Sequence, residues 1–178
     1  MSNLSSSYAS ALFELSLEEN ILDSVMQQSA MLAQIVNSNE DFYKLLNAPT
    51  VTKEEKIALM DKVFGRQIDK RLLNFVKVMI SRKEALRLKD SLKEFEDLYN
   101  THNNIEKATA ITAVPMSEEL KNRLAEKLQA VTGKKIILTN KVDESCIGGV
   151  VLEMNDVQYN DSIAEKLNSL KQQLKSIN

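Results

Sequence analysis

The chain has 178 residues, a formal net charge of −2, 43% hydrophobic residues and 27% charged residues. These values are typical of a soluble globular protein with one large domain or two small ones, and the charge excludes a general nucleic-acid-binding protein. The single cysteine, Cys146, excludes an intramolecular disulfide. Because the sequence lacks a long apolar run and a signal peptide, we expect a cytosolic protein or one peripheral on the cytosolic side of a membrane.

The acidic residues are unevenly distributed along the chain. Residues 1–43 contain six Asp or Glu residues and no Lys or Arg. Such a segment either steers a basic partner or forms the solvated face of an ordinary helix, and both interpretations stay open.

Helices should dominate the first half, since the whole chain has only four Gly and two Pro. Apolar residues at helical spacing predict six helices, at residues 8–17, 22–36, 42–46, 53–64, 68–80 and 88–99. The serines at positions 5–7 are expected to lie in a frayed segment and to offer N-caps. Thr52 and Glu55 have the spacing of a capping box. The short connections favour a compact six-helix bundle over residues 1–103.

The pattern changes at the polar tetrad Thr-His-Asn-Asn, residues 101–104, where we place a domain boundary. Strands are predicted at 107–114 and 136–142, on either side of a helix that Ser117 caps and Gly133 ends. The buried face of this helix is expected to comprise Leu120, Leu124, Leu128 and Val131.

Residues 148–162 predict a hairpin that leads into a final helix. Gly148 and Gly149 are interpreted as a structural turn before a strand through Val150, and Asn155-Asp156 suits a tight turn before a strand at 157–159. The apolar face of the final helix comprises Ile163, Leu167, Leu170 and Leu174. The predicted fold class is therefore mainly α, with the six-helix bundle followed by a small α+β domain, residues 104–178, of order β-α-β-β-β-α.

No residue pattern indicates catalysis, a cofactor or a metal. Gly133-Lys134-Lys135 lacks the second glycine and the Ser or Thr of a phosphate-binding loop. His102 is the only histidine, which excludes a His-based triad and a multi-His metal site. Cys146 is interpreted as a small apolar side chain rather than a nucleophile.

Three helices carry more apolar surface than a generic helical protein needs. The first and the fifth are apolar around most of their circumference, and the last has a leucine stripe near the C-terminus. Either these surplus faces bind partner helices, or they pack more tightly inside the protein than the sequence reveals.

Four segments resemble the delta subunit of bacterial F-type ATP synthases, the homologue of the mitochondrial oligomycin-sensitivity-conferring protein. Residues 8–13, Tyr-Ala-Ser-Ala-Leu-Phe, are similar to the opening motif of that family, and residues 147–151, Ile-Gly-Gly-Val-Val, to its C-terminal signature. Residues 132–135 and the helix of residues 82–99 also fit. The chain departs from the family at Ser7, where an Arg is usual, and at Asn160-Asp161, where Asp-Gly is usual.

This resemblance implies a non-catalytic stator subunit without cofactors, present in one copy per complex. The subunit would link the catalytic head to the peripheral stalk and resist rotor torque, so that ion translocation is coupled to ATP synthesis or hydrolysis. It would lie at the cytoplasmic face of the bacterial cell membrane.

The resemblance also implies the partners. The N-terminal helix of an alpha subunit would lie in a groove between the first and fifth helices, which would include Tyr8, Ala11, Asn74 and Val78. The C-terminal domain would bind the b subunits of the stalk. The alternative, from another class, is a soluble adaptor for an unrelated amphipathic helix; a small-molecule enzyme would need convergent ionisable groups that the sequence does not present.

Overall fold

A computed structural model describes residues 3–146, 149–154 and 157–160 of a mainly helical protein with a small β-sheet. The chain divides into two compact units, Met1–His102 and Asn103–Asn178. A 3-10 turn, Ala85–Arg87, precedes the last helix of the first unit. The helices of that unit are α1 (Asn3–Glu18), α2 (Leu22–Ser38), α3 (Glu40–Asn47), α4 (Lys53–Phe64), α5 (Lys70–Ser81) and α6 (Leu88–His102).

Local sequence signals set the ends of α3 and α4. The residue after α3, Ala48, is extended (ψ 127°) because Pro49 disfavours the helical conformation in the residue before it. The predicted capping box of α4 is confirmed: the Thr52 side chain accepts a hydrogen bond from the Glu55 backbone N–H at 3.3 Å. The Thr52 backbone N–H donates to the Glu55 carboxylate at 2.9 Å.

The start of α1 differs from the sequence prediction. The helix already begins at Asn3, so the serines at positions 5–7 lie inside it and are not N-caps. The reason is a buried stripe, Ser5, Ala9, Leu12 and Ser16, which repeats at helical spacing and extends the helix by one turn. Burial of this stripe outweighs the weak helix preference of serine.

The core of the first unit is aliphatic with two central phenylalanines. α1 packs most extensively against α6, where the Phe13 ring meets the edge of Phe95 at a centroid distance of 6.4 Å. The Ser16 hydroxyl donates to the Leu12 carbonyl at 2.7 Å, so this buried hydroxyl is paired. The fully buried large side chains are Val25, Leu32, Val36, Leu46, Met60, Phe64, Leu72, Val76, Met79, Leu88 and Phe95.

In its described residues, the second unit forms a four-stranded sheet of order β2-β1-β3-β4. Its elements are β1 (Ile105–Thr112), α7 (Glu118–Thr132), β2 (Lys135–Val142), β3 (Val150–Met154) and β4 (Val157–Asn160). β1 is parallel to β2 and antiparallel to β3, and α7 makes the crossover that a parallel pair needs. As predicted, Ser117 caps α7 and Gly133, with φ of 69°, ends it in the left-handed region.

The predicted buried face of α7 is wrong at both of its ends. Leu120 is 51% exposed and Val131 85% exposed, whereas Leu124 and Leu128 are half-buried. The reason is that α7 packs mainly on β2, which is the edge strand of the sheet. An edge strand supports only a narrow line of the helix, so the outer residues of the stripe stay in solvent.

Several predicted features lie outside the described residues: Gly148, the Asn155-Asp156 turn, and the final helix with Ile163, Leu167, Leu170 and Leu174. Gly149 is described, and its φ of 89° fits the predicted turn before β3. None of the helices in the described part of the chain combines the length and hydrophobicity that crossing a bilayer requires.

The capping box makes a testable contribution to stability. Thr52→Ala removes the acceptor for the Glu55 N–H and should lower the free energy of unfolding by about 1 kcal/mol. Urea denaturation followed by circular dichroism measures the change, with Thr50→Ala in the preceding turn as the control. Equal stability of the two variants would contradict the cap.

The capping box should also make stability depend on pH. The hydrogen bond from the Thr52 backbone N–H is the main cause that lowers the pKa of Glu55. A carboxyl whose folded-state pKa is lowered stabilises the fold above its unfolded pKa of about 4.3, and this contribution is lost as the pH falls through the folded pKa. Glu55→Gln should therefore destabilise the protein at neutral pH and lose this effect in acid.

Urea titrations of the two proteins across this pH range measure the difference. Glu54→Gln removes the same charge one residue earlier in α4 and controls for the helix dipole. A constant difference between wild type and Glu55→Gln at all pH values would contradict the assignment.

Candidate functional site

An open groove of about 510 Å³ lies between α1 and α5. Apolar side chains form most of its surface, and polar ones lie at its edges. The lining residues of α1 are Leu4, Ser7, Tyr8, Ala11, Leu12 and Leu15, and those of α5 and its C-cap are Arg71, Asn74, Phe75, Val78 and Arg82.

The structure brings together all four residues that the sequence placed in a groove: Tyr8, Ala11, Asn74 and Val78. Tyr8 and Ala11 are three positions apart on α1, and Asn74 and Val78 are four apart on α5, so each pair lies on one face of its helix. The role of these residues in binding a partner stays a prediction.

The floor of the groove is preformed by aromatic contact. The Tyr8 and Phe75 rings meet edge to face, with centroids 6.4 Å apart and planes at 81°. Leu12 and Phe75 are buried beneath the groove, whereas Leu4, Leu15 and Val78 on its rim are 39%, 38% and 44% exposed. Isolated exposed apolar residues are ordinary, but several around one concave surface indicate a binding site.

The position of α5 explains why its sequence is apolar on nearly every side. Leu72, Val76 and Met79 are fully buried in the core, while Asn74 and Val78 are exposed in the groove. The helix begins at the N-cap Asp69, whose carboxylate accepts from the Arg71 backbone N–H at 2.8 Å. One face of α5 therefore packs in the core of the first unit, and the other lines the groove.

An ion pair ties the two walls of the groove at one end. Arg71 at the start of α5 pairs with Glu19, just after the end of α1, and also lies 3.5 Å from the Asp69 carboxylate. The hydrogen bond with Glu19 is the main cause that raises the pKa of Arg71. The Glu19–Arg71 pair joins the end of α1 to the start of α5, and the Tyr8–Phe75 contact joins an earlier part of α1 to a later part of α5, so the two helices run in opposite directions along the groove.

Sequence reasoning did not assign five important lining residues to the groove: Leu4, Leu15, Arg71, Phe75 and Arg82. The signal was their spacing. Leu4 and Leu15 lie four residues before Tyr8 and four after Ala11, and the α5 residues lie three or four positions from Asn74 or Val78. Extending the two stripes by one turn in each direction would have found Leu4, Leu15, Arg71 and Arg82. Phe75 lies between Asn74 and Val78, three positions before Val78 on the same face.

Cys146 is buried with a free thiol, in agreement with its interpretation as a small apolar side chain. In residues 3–146, 149–154 and 157–160, the structure groups no three His, Cys, Asp or Glu side chains in a way that could hold a metal ion.

Comparison with known proteins identifies the family. The sequence model of the family described as ATP synthase delta (OSCP) subunit matches residues 4–174. ATP synthase subunit delta of Clostridioides difficile (strain 630) is 31% identical over 171 residues, which cover 96% of this chain and 94% of the relative. The subunit of Clostridium botulinum (strain Loch Maree / Type A3) is 31% identical over 167 residues, covering 94% and 93%.

A solved structure shares the fold. A chain in the cryo-EM structure of the Toxoplasma gondii mitochondrial ATP synthase hexamer aligns with a TM-score of 0.77 at 21% identity. The alignment covers 97% of this chain and 98% of that chain.

The fold is thus that of a mainly helical protein of two units with an apolar groove on the first. The chain belongs to the ATP synthase delta (OSCP) subunit family. It is a structural stator subunit rather than an enzyme, a peripheral component that links the catalytic head to the stalk and resists rotor torque. A match over nearly the whole length is not expected of an unrelated adaptor.

The two faces of α5 predict unequal losses of stability when a valine on each face is replaced by alanine. Val76→Ala removes fully buried methyl groups and should lower the free energy of unfolding by about 2 kcal/mol. Val78→Ala, on the same helix, should change it by less than about 0.5 kcal/mol because the side chain faces the open groove. Chemical denaturation of both variants measures the difference, and equal losses would contradict the division of α5 into a core face and a groove face.

Proposed function

We propose that the groove between α1 and α5 binds the amphipathic N-terminal helix of an ATP synthase alpha subunit. The observation that carries the proposal is that Tyr8, Ala11, Asn74 and Val78 line one preformed, mainly apolar groove. A surface of this shape suits a helix that presents one apolar stripe.

The dimensions of the groove support a helix as the ligand. From Leu4 to Leu15 the α1 wall advances by 11 residue steps, or about 16 Å at 1.5 Å per residue, so it accommodates three turns of a docked helix. Docking would cover the exposed rim residues Leu4, Leu15 and Val78, and this apolar burial supplies the affinity. The exposed Asn74 amide offers donors and an acceptor that fix the register of the helix.

The second unit is proposed to bind the b subunits of the peripheral stalk. Leu120 and Val131 expose an apolar edge on α7, which supports a partner contact in this unit. The full layout that we propose is a six-helix bundle, residues 1–103, followed by a β-α-β-β-β-α domain. The terminal helix with Ile163, Leu167, Leu170 and Leu174 would contribute to the stalk contact.

Two contacts on two units make the chain a mechanical connector. One copy per complex would hold the catalytic head through the groove and the stalk through the second unit, so that the head does not turn with the rotor. The bacterial relatives support a position at the cytoplasmic face of the cell membrane, as a peripheral subunit.

Titration calorimetry with a peptide of the cognate alpha subunit's first 20 or so residues tests the groove. We expect one-to-one binding with a negative heat-capacity change, the signature of apolar burial. Val78→Asp and Ala11→Asp should weaken binding by at least about tenfold, because docking would bury an unpaired carboxylate.

Val63→Asp and Ala58→Asp are matched controls, since both residues are exposed on α4, away from the groove. Circular dichroism verifies that every variant is folded. Normal peptide binding by folded Val78→Asp and Ala11→Asp, or equal weakening by the controls, would remove the proposed site.

A further inference from the structure

The two ends of the α1/α5 groove differ in charge. Both ends carry an arginine of the α5 segment, Arg71 at the start and Arg82 at the C-cap. These residues are 11 positions apart, or about 16 Å along the helix axis. The Glu19–Arg71 pair sets the end of α1 beside the start of α5, so Leu4 and Arg82 belong to the opposite end.

Arg71 is neutralised, whereas Arg82 is not. Glu19 and Asp69 both pair with the Arg71 guanidinium. In the described part of the chain no carboxylate forms an ion pair with Arg82, which is exposed and lines the groove. The Arg82 backbone N–H donates to the Val78 carbonyl at 3.0 Å and anchors the residue at the helix end. The Arg82 guanidinium therefore places a positive charge at this end of the groove, with no ion-pair partner among the described residues.

At the other end of the groove the charged lining residue is the paired Arg71, and the acidic end of α1 lies just beyond it. α1 ends in Glu18, directly before Glu19, and has no basic residue in its last turn. Acidic side chains at a helix C-terminus interact unfavourably with the helix dipole, so the position has a local cost. Glu19 is paired with Arg71, but no Lys or Arg of the described residues pairs with Glu18, one turn beyond the groove residue Leu15.

We propose that Arg82 pairs with a carboxylate on the docked helix and Glu18 with a basic group, so that the groove accepts the helix in one direction only. The inference rests on the proposed docking of the alpha-subunit helix. A stable helix carries acidic residues in its first turn and basic residues in its last. Its N-terminus would therefore lie at Arg82, and the docked helix would run parallel to α1.

Charge is needed for this selection because apolar contact is non-directional. An amphipathic helix could place its apolar stripe in the groove in either direction with similar burial. In the wrong direction its first-turn carboxylates would face Glu18 and its last-turn cations would face Arg82. Repulsion between like charges at both ends of the groove would disfavour binding in that direction.

The pairing is tested by calorimetry of the full chain with the alpha-subunit peptide at about 0.05 M and 0.5 M salt, concentrations that span weak and strong screening. Arg82→Gln should weaken binding about two- to fivefold at low salt, the effect of a partly exposed ion pair, and much less at high salt. Arg66→Gln is the matched control, since Arg66 is exposed, lies outside the groove and has no ion-pair partner in the described residues.

A charge exchange identifies the partner group. Arg82→Glu should weaken binding more than Arg82→Gln, and a peptide in which one acidic residue of the first turns is replaced by Lys should restore it. Failure of every such peptide to restore binding, wild-type affinity of Arg82→Gln at low salt, or equal weakening by Arg66→Gln would overturn the pairing and leave the groove intact. If the wild-type chain does not bind the peptide at all, both the proposed docking and the proposed pairing are contradicted.

A separate NMR measurement tests the direction of the docked helix. A spin label on the peptide N-terminus should broaden the NMR signals of Leu4 and Arg82 more than those of Leu15 and Glu18. The reverse pattern, or equal broadening at both ends, would overturn the proposed direction.

Discussion

The packing of α1 into the helical unit is the interaction on which the site depends. A stripe of three small residues and one leucine, Ser5, Ala9, Leu12 and Ser16, is almost fully buried. Small side chains let a helix approach its neighbours closely, and α1 uses this approach mainly against α6. Because this stripe packs α1 onto the rest of the unit, the larger side chains of Leu4, Tyr8 and Leu15 remain available to line the groove.

α5 forms the other wall of the groove and is likewise divided between a buried face and an accessible face. Its core face, with Val76, holds it in the bundle, while Val78 on the other face stays accessible. The Glu19–Arg71 pair and the Tyr8–Phe75 contact fix the distance between the walls. A groove that is formed before binding costs little entropy when a helix docks, which suits a contact that must withstand repeated torque. The backbone hydrogen bond from Arg82 to the Val78 carbonyl places that residue at one end of the groove.

Local signals in the sequence predicted much of this structure. The Thr52–Glu55 capping box and the left-handed Gly133 depend on a few adjacent residues, and both were found where the sequence placed them. Predictions that depended on distant packing failed. The burial of Ser5 requires the neighbours of α1, and the exposure of Val131 requires knowledge that α7 lies over an edge strand. The groove was predicted from family resemblance, and only three-dimensional structure adds the charge difference between its ends.

The central claim is that the α1/α5 groove is where the partner helix binds. Methyl NMR of the full chain during titration with the alpha-subunit N-terminal peptide tests it most directly. The account predicts large, saturable shifts of the Ala11, Leu15 and Val78 methyl signals, and none for Met31, which is similarly exposed on α2. Shifts centred on Met31 and α2, or no shifts at saturating peptide in a folded protein, would contradict it.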